Sequence, residues 1–462
     1  MTKPANAIQD NKMCHMPLGK LLVNMATPMV IAMLVQAFYN VVDSFYVAKI
    51  SENAVTALGL AFPVQNIQIG FATGIGVGVN ALLSKSLGEG NRETANRAAG
   101  NGIVLVGIVT LLFIVFGIFG AQPFFEIQSS DAETVRGGVE YMTICCVFSL
   151  GIFVEVLGER LLQASGRTVY TLITQGSGAV LNIILDPLFI FGVDWLGIPA
   201  MGFAGAAIAT VIGQACAAGL GMFLHLRKNK ELRIHMRDLI PEWHLIRDVY
   251  KIGVPSILMM CISSFTNFSM NRILIGFTPT AVAVYGSYFK IQSFIFMPVF
   301  GLNSAIIPIV GYNYGAAKPQ RVYRTIRFGV MYAMSLMCFG LLMFQLIPGT
   351  LLQLFAPSAE MLAIGVPALR IISIHFPIAA FCVVAVSVCQ ALDKSIFSMF
   401  CSLLRQLVVL VPSAYFLSLS GNVDRVWWCF PIAEIMAALA GAFFLRQAIK
   451  GMKQNLAQRG VL

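Results

Sequence analysis

The sequence predicts an all-α polytopic membrane protein with twelve transmembrane helices in two pseudo-symmetric six-helix lobes. Three observations carry this expectation. Of 462 residues, 58% are hydrophobic and 11% charged, against about 25% charged in soluble domains. The apolar residues gather in twelve runs long enough to cross a bilayer, which takes about 20 residues. The chain also matches itself at an offset of 227 residues.

The runs begin near Leu21, Val55, Ala98, Gly138, Val169 and Gly202, and then near Val249, Ala281, Thr325, Ile364, Ser395 and Val426. Polar or turn-forming breaks separate them: Lys49 to Glu52, Gly88 to Asn91, Gln128 to Glu133, Ser165-Gly166-Arg167 and Gly192-Val193-Asp194 in the first half. Thr278-Pro279, Gly315 to Arg321, Ala356-Pro357-Ser358, Leu392-Asp393-Lys394 and Gly421 to Arg425 do the same in the second. The first run, Leu21 to Val47, is too long for a signal-peptide core, so none is expected. The ten cysteines, with no CxxC spacing, read as small core residues.

At the 227-residue offset Pro28 meets Pro255, Asn40 meets Asn267, and Gly74, Gly88 and Arg97 meet Gly301, Gly315 and Arg324. Gln163-Ala164 meets Gln390-Ala391. Apolar coincidences are cheap in such a chain, whereas matched Gly, Pro, Gln and Arg are not. Six spans per repeat is an even number, so both lobes enter the membrane in the same sense. The expected division is residues 1–226 for the N-lobe and 227–247 for a basic cytoplasmic linker that only sets orientation. Residues 248–450 then form the C-lobe and 451–462 a tail.

With both termini in the cytoplasm, 24 of the 31 Lys and Arg residues fall on the cytoplasmic side, among them Lys3, Lys12, Arg160, Lys230 and Arg237. Five fall outside, and Lys290 and Arg405 lie within spans. That asymmetry sets the topology. It also accounts for the net charge of +10 without nucleic acid, because the cations sit in short loops rather than on one patch. The composition excludes a soluble enzyme, a disordered chain and a disulfide scaffold. Long apolar runs exclude a porin-type barrel. No phosphate loop, HExxH or zinc spacing is present, so neither ATP-driven transport nor a resident cofactor or transition metal is expected.

A charge inside a span costs about 2.5–3.5 kcal/mol on insertion scales, so each is a candidate functional group. Gln36, Asn40 and Asp43 share one face of the first span, with Tyr39 beside them, and Gln175, Asn182 and Asp186 share one face of the fifth. Both aspartates lie far along helices that start on the same side. With Pro187 next to Asp186 freeing a carbonyl by breaking the helix, they make an oxygen-rich site for a hard monovalent cation or a shared proton. Ties between helices are the competing role. Glu155 and Glu159 read as an ion-pair partner set for Arg160. Glu434 reads as a partner of Arg405 or Lys290, or as a second ionisable site, and His375 as a satisfied interior histidine. Pro28, fifteen residues before Asp43, is either a hinge or a static kink. The 22 Met and 34 Phe suit an adaptable apolar pocket.

Tyr39-Asn40-Val41-Val42-Asp43-Ser44-Phe45, the Leu161 to Thr168 turn and Asn182-Ile183-Ile184-Leu185-Asp186-Pro187-Leu188-Phe189 resemble the multidrug and toxic compound extrusion (MATE) family, in its bacterial DinF/MepA-like branch. The likeness covers essentially the whole chain. It implies secondary active export of cationic, amphipathic drugs by antiport with H⁺ or Na⁺, from a monomer in the bacterial inner membrane. The family's N-lobe cation site falls on Asp43, Asn182 and Asp186, with Thr210 as the candidate for its sixth-span threonine. Gln36, Tyr39, Asn40 and Gln175 would border the cavity. The acids that some branches carry in the seventh and tenth spans are absent. A flippase for lipid-linked sugars is the alternative transporter, and an integral membrane transferase the alternative class.

Overall fold

The computed structural model describes residues 11–193, 197–229, 231–355 and 357–460. Lys3, Asp194, Lys230 and Ala356 lie outside them. Ten helices are long and apolar enough to cross a membrane, and two bent pairs complete the twelve if each counts as one span. The bent pairs are Ala132–Val147 with Leu150–Ala164, at 46°, and Ala359–Ser373 with Phe376–Ala391, at 49°. Their breaks, at 148–149 and 374–375, fall within one residue of the 227-residue offset, so the repeat extends to the position of a break inside a span. Large apolar side chains such as Leu111, Phe119 and Phe339 stand exposed, as lipid-facing residues must.

Within the described residues the chain forms two compact units, 31–257 and 1–30 with 258–462. The borders, 30/31 and 257/258, are themselves 227 residues apart. They fall two residues after Pro28 in the first span (Leu18–Ala48) and two after Pro255 in the seventh (Trp243–Leu274), not in the linker. Each unit contains one long, largely buried helix: the second span, Glu52–Gly88, and the eighth, Pro279–Gly315. Glycines on these helices explain the borders. A Cβ on Gly74 would lie 2.8 Å from the Gly253 carbonyl oxygen, and Gly78 lies against Val249, so the start of the seventh span beds into the 31–257 unit. Gly301, the repeat mate of Gly74, receives Val30 of the first span in the other unit. Small residues allow such close helix approach.

The linker does more than set orientation. Gly100 lies against the Asp238 backbone. The buried Asn101 donates to the Ile240 carbonyl at 3.3 Å and accepts from the Glu242 N–H at 2.7 Å. Arg97 pairs with Glu242 at 2.9 Å. The linker and the start of the third span, Arg92–Val115, therefore lie at one end of that unit. In the other unit Arg321 donates to the carbonyls of Met13 and Met16, and Asn455 to the Tyr314 hydroxyl. The amino-terminal segment, the eighth-to-ninth span loop and the carboxy-terminal helix thus share one end. Among the cysteines, Cys216 and Cys261 are exposed rather than in the core.

Candidate functional site

The polar in-span residues converge in the 31–257 unit on a cavity of about 280 Å³. The first span contributes Gln36, Tyr39 and Asn40, the fifth Gln175 and Asn182, and the sixth Thr210. The fifth span, Thr168–Phe191, and the sixth, Gly202–Lys228, can bring these groups together because they meet through small residues. A Cβ on Gly178 would sit 2.9 Å from that of Ala217. Gln175 donates to Gln36 at 3.4 Å across the cavity.

Asn182 is the connecting residue. With its amide nitrogen toward Asp186 it donates to Oδ2 at 2.9 Å while its oxygen accepts from the Thr210 N–H at 3.0 Å. In the opposite orientation the nitrogen reaches the Thr210 hydroxyl at 3.3 Å. The first arrangement gives both ends of the amide a matching partner. The Tyr39 hydroxyl lies in hydrogen-bonding reach of Thr210. Asp186 is fully buried, Asp43 half-buried, and the two carboxylates are close enough to interact electrostatically. Neither aspartate lines the cavity; Asn182 and Thr210 stand between it and Asp186. Pro187 does not break the fifth span, which continues to Phe191. The carbonyl its missing N–H releases is that of Ile183, one turn back.

The fourth span supplies what sequence reasoning placed elsewhere. Glu155, Glu159 and Arg160 line the same cavity. Arg160, counted by sequence among the cytoplasmic charges, is buried. Its stem packs over Gly76, where a Cβ would lie 2.8 Å from Arg160 Cγ. Its guanidinium donates to Gln163 at 2.9 Å, and among the described residues no ion pair joins it to Glu155 or Glu159. Gln163, held in turn by Asn80 at 3.3 Å, takes the guanidinium's hydrogen bond one turn along the helix, while the Arg160 and Glu159 charges still act on one another. The signal that was available is Gly76, whose missing side chain opens the space Arg160 fills.

The remaining candidates lie apart. Pro28 sits inside the unbroken first span, about 22 Å along its axis from Asp43. Glu434 belongs to the other unit. It is buried on the last span, Cys429–Gln458, with Oε2 3.4 Å from Arg405 and Oε1 unpartnered. Lys290 instead stands over the Phe355 ring. His375, at the bend of the tenth span, bonds the Ile372 carbonyl and stacks on Phe430.

The chain is similar to known proteins over almost its whole length. A "FAD transporter" from Shewanella oneidensis is 24% identical over 442 residues, covering 94% of this chain and 95% of the relative. The "Multidrug export protein MepA" of Staphylococcus haemolyticus is 21% identical over 427 residues, covering 92% and 93%. Among solved structures, an outward-facing multidrug resistance MATE family transporter of the MOP superfamily superposes with a TM-score of 0.90 at 24% identity, covering 98% of this chain and all of that one. A MATE protein in the straight conformation gives the same score. At that identity the superpositions establish the fold. The family model MatE matches residues 28–188 and again 255–416, so the two halves are two copies of one family unit. By that match and its MepA relatives, this multi-pass membrane protein belongs to the MATE family of transporters, on its MepA-like branch.

Proposed function

We propose that this transporter exports cationic, amphipathic compounds by antiport with H⁺ or Na⁺, using no resident cofactor. It acts as a monomer in a bacterial inner membrane with both termini in the cytoplasm. The observation that carries this reading is the fully buried Asp186, tied through Asn182 to Thr210 at the cavity. Two carboxylates kept in such a place cost several kcal/mol, which a purely structural tie does not require. A proton or Na⁺ there neutralises charge that an organic cation would otherwise seek, and this coupling is reciprocal. Oxygen donors from Asp43, Asp186, Asn182 and Thr210 suit a hard cation, and Pro28 is the hinge about which the first span bends as occupancy changes.

The Shewanella relative raises a second cargo class, a dinucleotide, and a lipid-linked sugar is a third. Both carry pyrophosphate and call for convergent Arg and Lys. This cavity has one Arg against two Glu, which speaks for a cation. The test is efflux from proteoliposomes under separately imposed Na⁺ and pH gradients, with a cationic dye and with FAD. Movement of the dye under either gradient supports the reading; movement of FAD alone sinks it.

A further inference from the structure

The linker holds out large apolar side chains that its own packing does not use. Met236, Ile240 and Trp243 are 83%, 63% and 77% exposed. Met236 lies in a short helical turn, Met236–Leu239, and neither it nor Ile240 belongs to a span, so lipid tails do not account for them. The other side of the same segment is fixed. The Asp238 backbone packs on Gly100, Asn101 bonds the Ile240 carbonyl and the Glu242 N–H, and the Arg233 N–H donates to Asn96 at 3.0 Å. One face is thus anchored on the third span while three large side chains stand away from it. Large apolar groups presented in this way mark an interaction surface.

The charges choose the partner. Arg227, Arg233, Arg237, Arg247 and Lys251 are exposed. The acids of the same stretch are not. Asp238 is buried and accepts from the His235 N–H at 2.8 Å, Glu242 pairs with Arg97, and Glu231 and Asp248 are half-buried. Trp243, Arg247, Lys251, Val254 and Leu258 follow at steps of three and four along one exposed face of the seventh span. From Val254 onward that face is apolar, as lipid tails require. Before it come the cations and then a tryptophan, the residue that settles at headgroup level. Helical side chains lean toward the amino-terminal end, which carries the Arg247 and Lys251 cations toward Trp243.

We infer that Met236, Ile240 and Trp243, with Arg233, Arg237 and Arg247, dock the linker on an anionic lipid surface. The apolar side chains enter the headgroup layer and the guanidiniums meet lipid phosphates. With both termini in the cytoplasm this is the cytoplasmic leaflet. The docking itself depends neither on the cargo nor on the coupling ion. Because the linker is also bonded to the third span, the 31–257 unit is tied to the headgroup layer at this end.

The test is the fluorescence of Trp243 in the purified full-length protein, reconstituted in nanodiscs of phosphatidylcholine with increasing phosphatidylglycerol. The Trp243 signal is the difference between each protein and its Trp243→Phe counterpart. It should shift to the blue as phosphatidylglycerol rises, and lipids brominated near the headgroup should quench it. Arg233→Gln, Arg237→Gln and Arg247→Gln together should raise the phosphatidylglycerol fraction needed at least threefold. High salt should do the same with no substitution. Met236→Ser with Ile240→Ser should weaken the quenching. Arg136→Gln, an exposed cation on the sixth helix of the chain, Ala132–Val147, should behave as wild type does. A Trp243 signal that stays water-like at every composition would overturn the proposal. A blue shift independent of phosphatidylglycerol, or one produced by inorganic phosphate in pure phosphatidylcholine, would overturn it too. So would shielding in native membranes that vesicles of their extracted lipids fail to reproduce, which marks a protein partner. Nanodiscs are open on both faces and no gradient is applied, so none of these outcomes bears on the export reading.

Discussion

Gly213 leaves the space that Asn182 occupies. A methyl group on Gly213 would lie 3.2 Å from the Asn182 Cβ and 2.9 Å from the Gly178 carbonyl oxygen. Gly213→Ala should therefore push the fifth and sixth spans apart, destabilise the protein by about 1–3 kcal/mol and detach Asn182 from Thr210. Detergent-solubilised thermal stability and proteoliposome efflux would measure the two effects. Wild-type values for both would show that the approach is not needed.

Asp43→Asn and Asp186→Asn should each reduce gradient-driven efflux by about tenfold or more, a coupling loss in the usual range for linked sites, with little change in expression. Each substitution keeps the shape and removes the charge. Transport at the wild-type rate by either purified variant would contradict the assignment.

Pro28→Ala restores a backbone hydrogen bond within the first span. If this proline is the hinge, transport slows while ion binding to the aspartates stays intact. A static kink instead leaves the rate unchanged, and rate measurements at saturating substrate decide between them.

Asn101→Leu leaves the Ile240 carbonyl and the Glu242 N–H without partners, at about 1–3 kcal/mol for each buried group. The linker should then detach first. Trypsin should cut faster after Arg233 and Arg237 in inside-out vesicles, where the linker is accessible. Unchanged cleavage would show that the other contacts, among them Gly100, the Arg97–Glu242 pair and the Arg233 N–H to Asn96 bond, hold it without Asn101.

Arg405→Met leaves Glu434 buried without its partner, a loss of about 3–5 kcal/mol for a buried pair, toward the low end because the Arg405 side chain is 30% exposed. Adding Glu434→Leu should recover most of that stability. Failure to recover would mean that Glu434 contributes something beyond the pair.

The twelve spans and the repeat were legible in the sequence because hydropathy and matched Gly, Pro and Arg are local signals. The face shared by Gln36, Asn40 and Asp43 was legible for the same reason: helical periodicity alone puts them together. Glu159 and Arg160 were not. Adjacent opposite charges near a helix end read as a surface pair, and only the three-dimensional course of the second span, with Gly76 at the contact, makes them cavity residues. The unit borders at 30/31 and 257/258 were hidden as well. A helix continuous through its proline gives no composition change where its packing partners change.

Those borders also set an order of assembly. The carbonyls of Met13 and Met16 emerge from the ribosome some 300 residues before Asn313 and Arg321, which bond them. At about 5–20 residues per second, the start of the first span stays without its partners for on the order of 15–60 s. Residues 31–257 have all their members once the start of the seventh span, up to Ile257, has been made, whereas the other unit is closed by a segment made first and docked last. The amino-terminal segment is then a late latch on the second half of the chain. An early stop in synthesis leaves the start of the first span without the partners that Asn313 and Arg321 would supply.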